Sequence, residues 1–230
     1  MLVQFGLVVV TLAGLATPVA AQSVNRALID ELNTQLLYVA LPLALFVELT
    51  LLHAIYRFRD NDDPSPTVDD RALEITWNAA TAVILVFVGL SAYFVLSSPY
   101  LSPSAAADPV GEGDVEIEVT AYQWGWEVHY PDANVTTQSR IVIPEGRNVT
   151  FRLGSEDVLH SLYVPALGLK QDAFPGQELP VRTRATETGE YRLYCTELCG
   201  AGHSRMQGTV TVLNQSAYRD WLDRQTNSPS

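Results

Sequence analysis

Lysine is almost missing from this chain: Lys170 is the only one in 230 residues, set against 26 acidic side chains and a formal net charge of −12. So acidic a chain, with so few flexible cations, is unsuited to neutralising phosphates, which excludes nucleic acid as a partner. Two readings of the acidity remain: a basic redox partner, or a salt-rich medium that screens self-repulsion. Acids spread beyond any single patch favour the second. Cysteine is nearly as scarce, with two residues, and only one methionine follows the initiator. No internal repeat is present, which excludes a solenoid or array.

Charge is also missing from the whole stretch between Glu74 and Asp108. Within it, residues 75–96 form an apolar run long enough for the roughly twenty residues of a transmembrane helix, and residues 33–56 form another. Together, within residues 22–97, they predict a helical hairpin in a lipid bilayer. Arg57, Arg59 and Arg71 all fall in or beside the connecting segment. Basic residues at span ends stay on the cytoplasmic side, so both outer ends of the hairpin and everything after it face outward. Residues 1–21 are apolar, with small residues before a candidate cleavage point at Ala21, but they lack a basic leader. They read as a signal peptide or an extra membrane segment. Glu48 and Pro42 lie inside the first span, and an intramembrane carboxyl calls for a partner or a cavity.

Residues 98–113, rich in Pro, Ser and Ala, read as a linker. Beyond them the apolar period is two. Val115, Ile117 and Val119 alternate with Glu116, Glu118 and Thr120, and similar alternation recurs at Val149, Phe151 and Leu153 and at Val210 and Val212. Turn signals at Pro144-Glu145-Gly146 and Thr188-Gly189-Glu190 punctuate the runs. Short strands at this spacing predict an all-β sandwich over residues 114–230, closed by a helix over 215–224. Asn134, Asn148 and Asn214 begin glycosylation triplets, a pattern that often arises by chance.

The scarce residues are gathered in one place. From Cys195 to Met206 the chain reads Cys-Thr-Glu-Leu-Cys-Gly-Ala-Gly-His-Ser-Arg-Met, which holds both cysteines, His203 and the methionine. Two thiols, an imidazole and a thioether are soft ligands suited to copper. A Cys195–Cys199 disulfide and a structural zinc site are the competing readings, and neither uses the methionine. The best candidate for a second imidazole is His160, because His53 ends a membrane segment and His129 lies among aromatic residues. One copper needs only one Cys and one or two His, so this excess of ligands implies a dinuclear site.

On these residues the chain resembles the subunit II family of cytochrome c oxidases, in the heme-copper oxidase superfamily. The likeness runs through Asp157-Val-Leu-His160, Leu167-Gly-Leu-Lys-Gln-Asp172, Phe174-Pro-Gly176, the cysteine cluster and Tyr122-Gln-Trp-Gly-Trp126. The resemblance implies a cupredoxin Greek key holding a two-copper CuA centre. In it Cys195 and Cys199 bridge the metals, and His160 and His203 are terminal ligands. Met206 and the backbone carbonyl of Glu197 are weak ligands. It further implies magnesium on the Glu197 carboxylate at the boundary with subunit I, and electron acceptance at Trp124. Glu74 would stand at the mouth of a proton channel, and Lys170 and Asp172 on a segment facing subunit I. Gly125 departs from the pattern, replacing an aromatic residue. The implied function is electron transfer from cytochrome c or a small blue copper protein to a proton-pumping oxidase, with subunits I and III as partners at the plasma membrane. A membrane-anchored copper carrier outside any oxidase is the alternative.

Overall fold

The computed structural model describes residues 21–63, 65–66, 68–102 and 113–227. Most of the expected leader and of the linker lies outside the described residues. Two long helices open the described chain, α1 (Val24–Phe58) and α2 (Arg71–Leu96). Ser23 caps α1 by accepting from the Arg26 N–H, and Asp70 caps α2 by accepting from Ala72 and Leu73. Both apolar windows are 0% buried within the chain, with side chains such as Phe46, Ile55, Val83 and Phe94 open. So much continuous apolar surface requires lipid or partner helices around it.

At 1.5 Å per residue α1 is about 50 Å long, well beyond a hydrocarbon layer of about 30 Å. Its first turns, bearing Asn25, Arg26, Asp30 and Glu31, therefore stand clear of the apolar run and meet the outer domain. Ser23 pairs with Ala185, its hydroxyl donates to the Leu167 carbonyl at 2.6 Å, and Val24 N–H donates to the Arg184 carbonyl at 3.0 Å. The Asn25 amide donates to the Arg182 carbonyl at 2.9 Å and to that of Tyr100 at 2.5 Å. The hairpin is thereby joined to the outer domain at its first helix as well as through the chain after α2.

The described residues of the outer domain hold ten strands: β1 (Val115–Tyr122), β2 (Gly125–Tyr130), β3 (Val135–Gln138), β4 (Arg140–Pro144), β5 (Val149–Ser155), β6 (His160–Val164), β7 (Leu169–Ala173), β8 (Leu179–Thr183), β9 (Gly189–Cys195) and β10 (Gln207–Leu213). They form two five-stranded sheets, ordered β3-β2-β1-β5-β8 and β4-β10-β9-β6-β7. The β1–β5 and β4–β10 pairs are parallel and the rest antiparallel. This is the Greek-key, cupredoxin-like sandwich expected, with hairpins at β1–β2, β2–β3, β6–β7 and β9–β10 and crossovers between the sheets elsewhere. The alternation seen in β1 is realised in full: Val115, Ile117, Val119 and Ala121 are buried against Phe151, Leu153, Leu193 and Val210. Helix α3 (Gln215–Thr226) packs through Tyr218 and Trp221, with the Trp221 ring 5.1 Å from that of Tyr130. That anchors the sandwich at the end of β10.

Candidate metal centre

The soft residues converge at one end of the second sheet. His160 opens β6 and Cys195 closes β9, and the two strands are paired, Leu162 with Cys195 and Tyr163 with Tyr194. The residues after Cys195 form a loop whose ends are tied by the Cys195 N–H, which donates to the Met206 carbonyl at 3.0 Å. A single 3-10 turn over His203–Arg205 folds the imidazole back beneath the loop. Strand pairing and loop closure thus bring together soft side chains separated by up to 46 residues.

Donor atoms of His160, Cys195 and Cys199 lie within 4.8 Å of one another, and all three residues are buried. The two sulfurs stand 3.9 Å apart, nearly twice a disulfide bond of about 2 Å, and both cysteines are free. Nδ1 of His160 lies 3.1 Å from Met206 Sδ and 3.9 Å from Cys195 Sγ. His203 presents its own Nδ1 to Cys199 Sγ at 3.5 Å, and Met206 Sδ is 3.8 Å from that same sulfur. The Glu197 carbonyl oxygen is 3.2 Å from Cys195 Sγ. Every ligand that the resemblance implies is present around the sulfur pair, and a set of two sulfurs, two imidazoles, a thioether and a carbonyl fits soft copper. Burial, followed by the neighbouring Cys195, pushes the Cys199 thiol up to about 11. A cation that binds this sulfur must displace its proton.

The aromatic motif divides between two environments. Trp126, in β2, is 0% exposed and meets the His160 ring edge-on at 6.4 Å. Trp124 lies outside the strands, in the turn between β1 and β2, and is 40% exposed. The two tryptophans therefore do not share a strand face: one packs under the site and one stands at its mouth. Trp124 Nε1 donates to the Cys199 carbonyl at 3.1 Å, and the Gln123 amide donates to the same oxygen at 2.7 Å. Where Gly125 departs from the family pattern, a Cβ would stand 2.5 Å from the Tyr122 hydroxyl, so the Tyr122 ring occupies that space.

Glu74, Lys170 and Asp172 lie on elements that do not carry the sulfurs. Glu74 sits in the exposed first turn of α2. Lys170 and Asp172 are on β7, the strand at the sheet edge beside β6. Glu197 is part-exposed, and its Oε1 accepts from the Leu198 N–H at 3.2 Å.

Two contributors were not singled out as parts of the site by sequence. Asp157 accepts from His160 Nε2 at 2.9 Å, and Gln123 bridges to the cysteine loop. Partial burial works to raise the Asp157 pKa, but hydrogen bonds from His160, Val158 and Gln123 outweigh it and hold the carboxyl below its ordinary range. The signal available for Asp157 was its place three residues before His160. Gln123 had none beyond adjacency to Trp124.

Comparison with known proteins bears on the family. Residues 133–213 match the family described as cytochrome C oxidase subunit II, periplasmic domain, and residues 11–95 match the subunit's transmembrane domain. The chain is 30% identical to cytochrome c oxidase subunit 2 of Cereibacter sphaeroides, over 91% of its own length and 78% of that protein's. It is 31% identical to the probable cytochrome c oxidase subunit 2 of Rickettsia bellii, over 81% and 75% respectively. The crystallised periplasmic domain of subunit II of cytochrome oxidase from Bradyrhizobium japonicum is 27% identical, with a TM-score of 0.48, and the match spans 51% of this chain and 96% of that one.

Proposed function

The chain belongs to the cytochrome c oxidase subunit II family, and from that premise we propose that it accepts electrons from cytochrome c or a small blue copper protein and delivers them to subunit I of a proton-pumping oxidase, where oxygen is reduced to water. It is a membrane protein with an extracytoplasmic domain. The division proposed is a leader or extra membrane segment over 1–21, a hairpin over 22–97, a linker over 98–113 and the metal-binding domain over 114–230. The membrane proposed is the plasma membrane, with subunits I and III as neighbours.

A thiolate-bridged copper pair, when bound, supplies a one-electron centre without an open position for substrate. Cys195 and Cys199 are proposed as the bridging ligands. His160 and Met206, whose donor atoms face each other at 3.1 Å, would serve one metal. His203 and the Glu197 carbonyl would serve the other. The Glu197 carboxylate, a hard oxygen ligand, would hold magnesium together with subunit I. Trp124 gives the donor an exposed aromatic surface that is hydrogen-bonded directly to the Cys199 carbonyl. Glu74, on the opposite side of the membrane from the sulfurs, is proposed as the mouth of a proton channel.

The observation that carries this reading is the pair of free, buried sulfurs 3.9 Å apart with the Nδ1 atom of one imidazole on each. Rapid mixing of the purified oxidase with reduced cytochrome c tests it. Reduction of the site should precede heme reduction, and Trp124→Ala should slow it while leaving the copper spectrum intact. Heme reduction at an undiminished rate in Cys199→Ser would overturn the reading.

A further inference from the structure

Three donors converge on the carboxylate of Asp157, in the turn between β5 and β6. His160 Nε2 lies 2.9 Å from Oδ1, the Val158 N–H donates to the same oxygen at 2.6 Å, and the Gln123 N–H donates to Oδ2 at 2.8 Å. Both oxygens are therefore engaged, although the side chain is 32% exposed. An acid serving only to attract a basic partner has no need of such anchoring, since its field acts through solvent.

The two ends of this network have different tasks. His160 turns its other nitrogen, Nδ1, toward Met206 and Cys195. A carboxylate behind an imidazole fixes both its tautomer and its ring orientation, leaving the opposite nitrogen as the ligand. Gln123 directly precedes Trp124, and both side chains donate to the Cys199 carbonyl. The turn that carries the exposed indole is thus pinned to both ligand-bearing segments, on one side through Asp157 and on the other through Cys199.

We propose that Asp157 is a positioning residue: its carboxylate orients the His160 ring and, in the same grip, fixes the backbone of the turn bearing Trp124, so that one side chain sets the spacing between the electron-accepting indole and the soft ligands. This rests on the copper reading of the site.

The test compares Asp157→Ala, Asp157→Asn and the charge control Glu156→Gln in the purified, copper-loaded oxidase. Nitrogen hyperfine couplings of the two imidazoles, copper content and the rate of site reduction by reduced cytochrome c are measured at low and high salt. Asp157→Ala should alter the couplings of one imidazole and slow reduction roughly tenfold at both salt concentrations. Asp157→Asn keeps one acceptor oxygen for the His160 and Val158 donors but sets an amide NH2 against the Gln123 N–H, so it should restore the couplings while the rate stays reduced at both salt concentrations. Glu156→Gln should change only the salt-dependent part of the rate. Unchanged couplings in Asp157→Ala, with a rate loss that high salt abolishes, would reduce Asp157 to a docking charge and overturn the proposal. Copper loading that fails in Asp157→Ala and recovers in Asp157→Asn supports it, whereas failure in both overturns it. A wild-type site without two coupled imidazoles would instead contradict the copper reading itself.

Discussion

The indole of Trp124 lies against Gly202 so closely that a Cβ on that glycine would stand 2.3 Å from ring carbon Cδ2. The exposed aromatic and the cysteine loop are therefore packed as one unit. The absence of a side chain at position 202 is what lets the ring approach. Gly202→Ala should destabilise the full-length chain by about 1–3 kcal/mol through overpacking. The same substitution in a Trp124→Ala background should cost far less, because the two changes share one contact. Denaturant unfolding of the four proteins in the cycle checks this, and equal costs in both backgrounds would dissociate Gly202 from the ring.

The proposed ligands differ in what their removal should do. Cys195→Ser and Cys199→Ser each delete a proposed bridge and should abolish the two-copper spectrum. Met206→Leu is close to isosteric and removes only the weakest donor, so copper content should persist while the reduction potential changes. Metal analysis and redox titration separate the outcomes. Equal copper loss in all three variants would contradict the ranking.

Alkaline stability should report the anchoring of α3. Burial pushes the Tyr218 phenol up from 10.0 to about 12, and burial raises that of Tyr130 as well. A folded-state value above the unfolded one favours the folded form fully below about pH 10 and is lost as pH rises through about 12. The Tyr218 phenolate, read as the absorbance difference between wild type and Tyr218→Phe, and loss of β-structure should therefore appear together across that window. Tyr218→Phe should be within about 0.5 kcal/mol of wild type near neutrality and should shift the alkaline transition upward. Formation of that phenolate at pH 10 in a folded chain would contradict the burial.

Much of this arrangement was legible in the sequence because period and composition encode it directly. Val115, Ile117 and Val119 announce a strand by alternation alone, and the charge-free stretch after Glu74 announces a membrane helix. The cluster from Cys195 to Met206 is local, so its chemistry could be read without a fold. Long-range geometry was not legible. That Trp126 lies beneath His160 while Trp124 stands outside depends on β1 ending at Tyr122, and period-two reasoning does not mark that break. The role of Tyr122 in covering Gly125 depends on a side-chain direction. The union of Asp157, Gln123 and Cys199 requires three separate segments to meet in space, and no spacing rule records that.

The orientation of the hairpin follows from Arg57, Arg59 and Arg71 at its connecting end. Protease added to right-side-out vesicles should remove the outer domain, and the 59–71 connection should be cut only in inverted vesicles. The reverse pattern would invert the topology and place Glu74 and the sulfurs on the wrong sides for the function proposed.

Everything proposed for the outer domain depends on two metals sharing the sulfur pair. Copper analysis of the purified protein, combined with an electron paramagnetic resonance spectrum of its oxidised form, tests it most directly. Two coppers are expected at the site, with one unpaired electron divided between both nuclei. One copper per site, with the spectrum of a mononuclear blue centre, would contradict it.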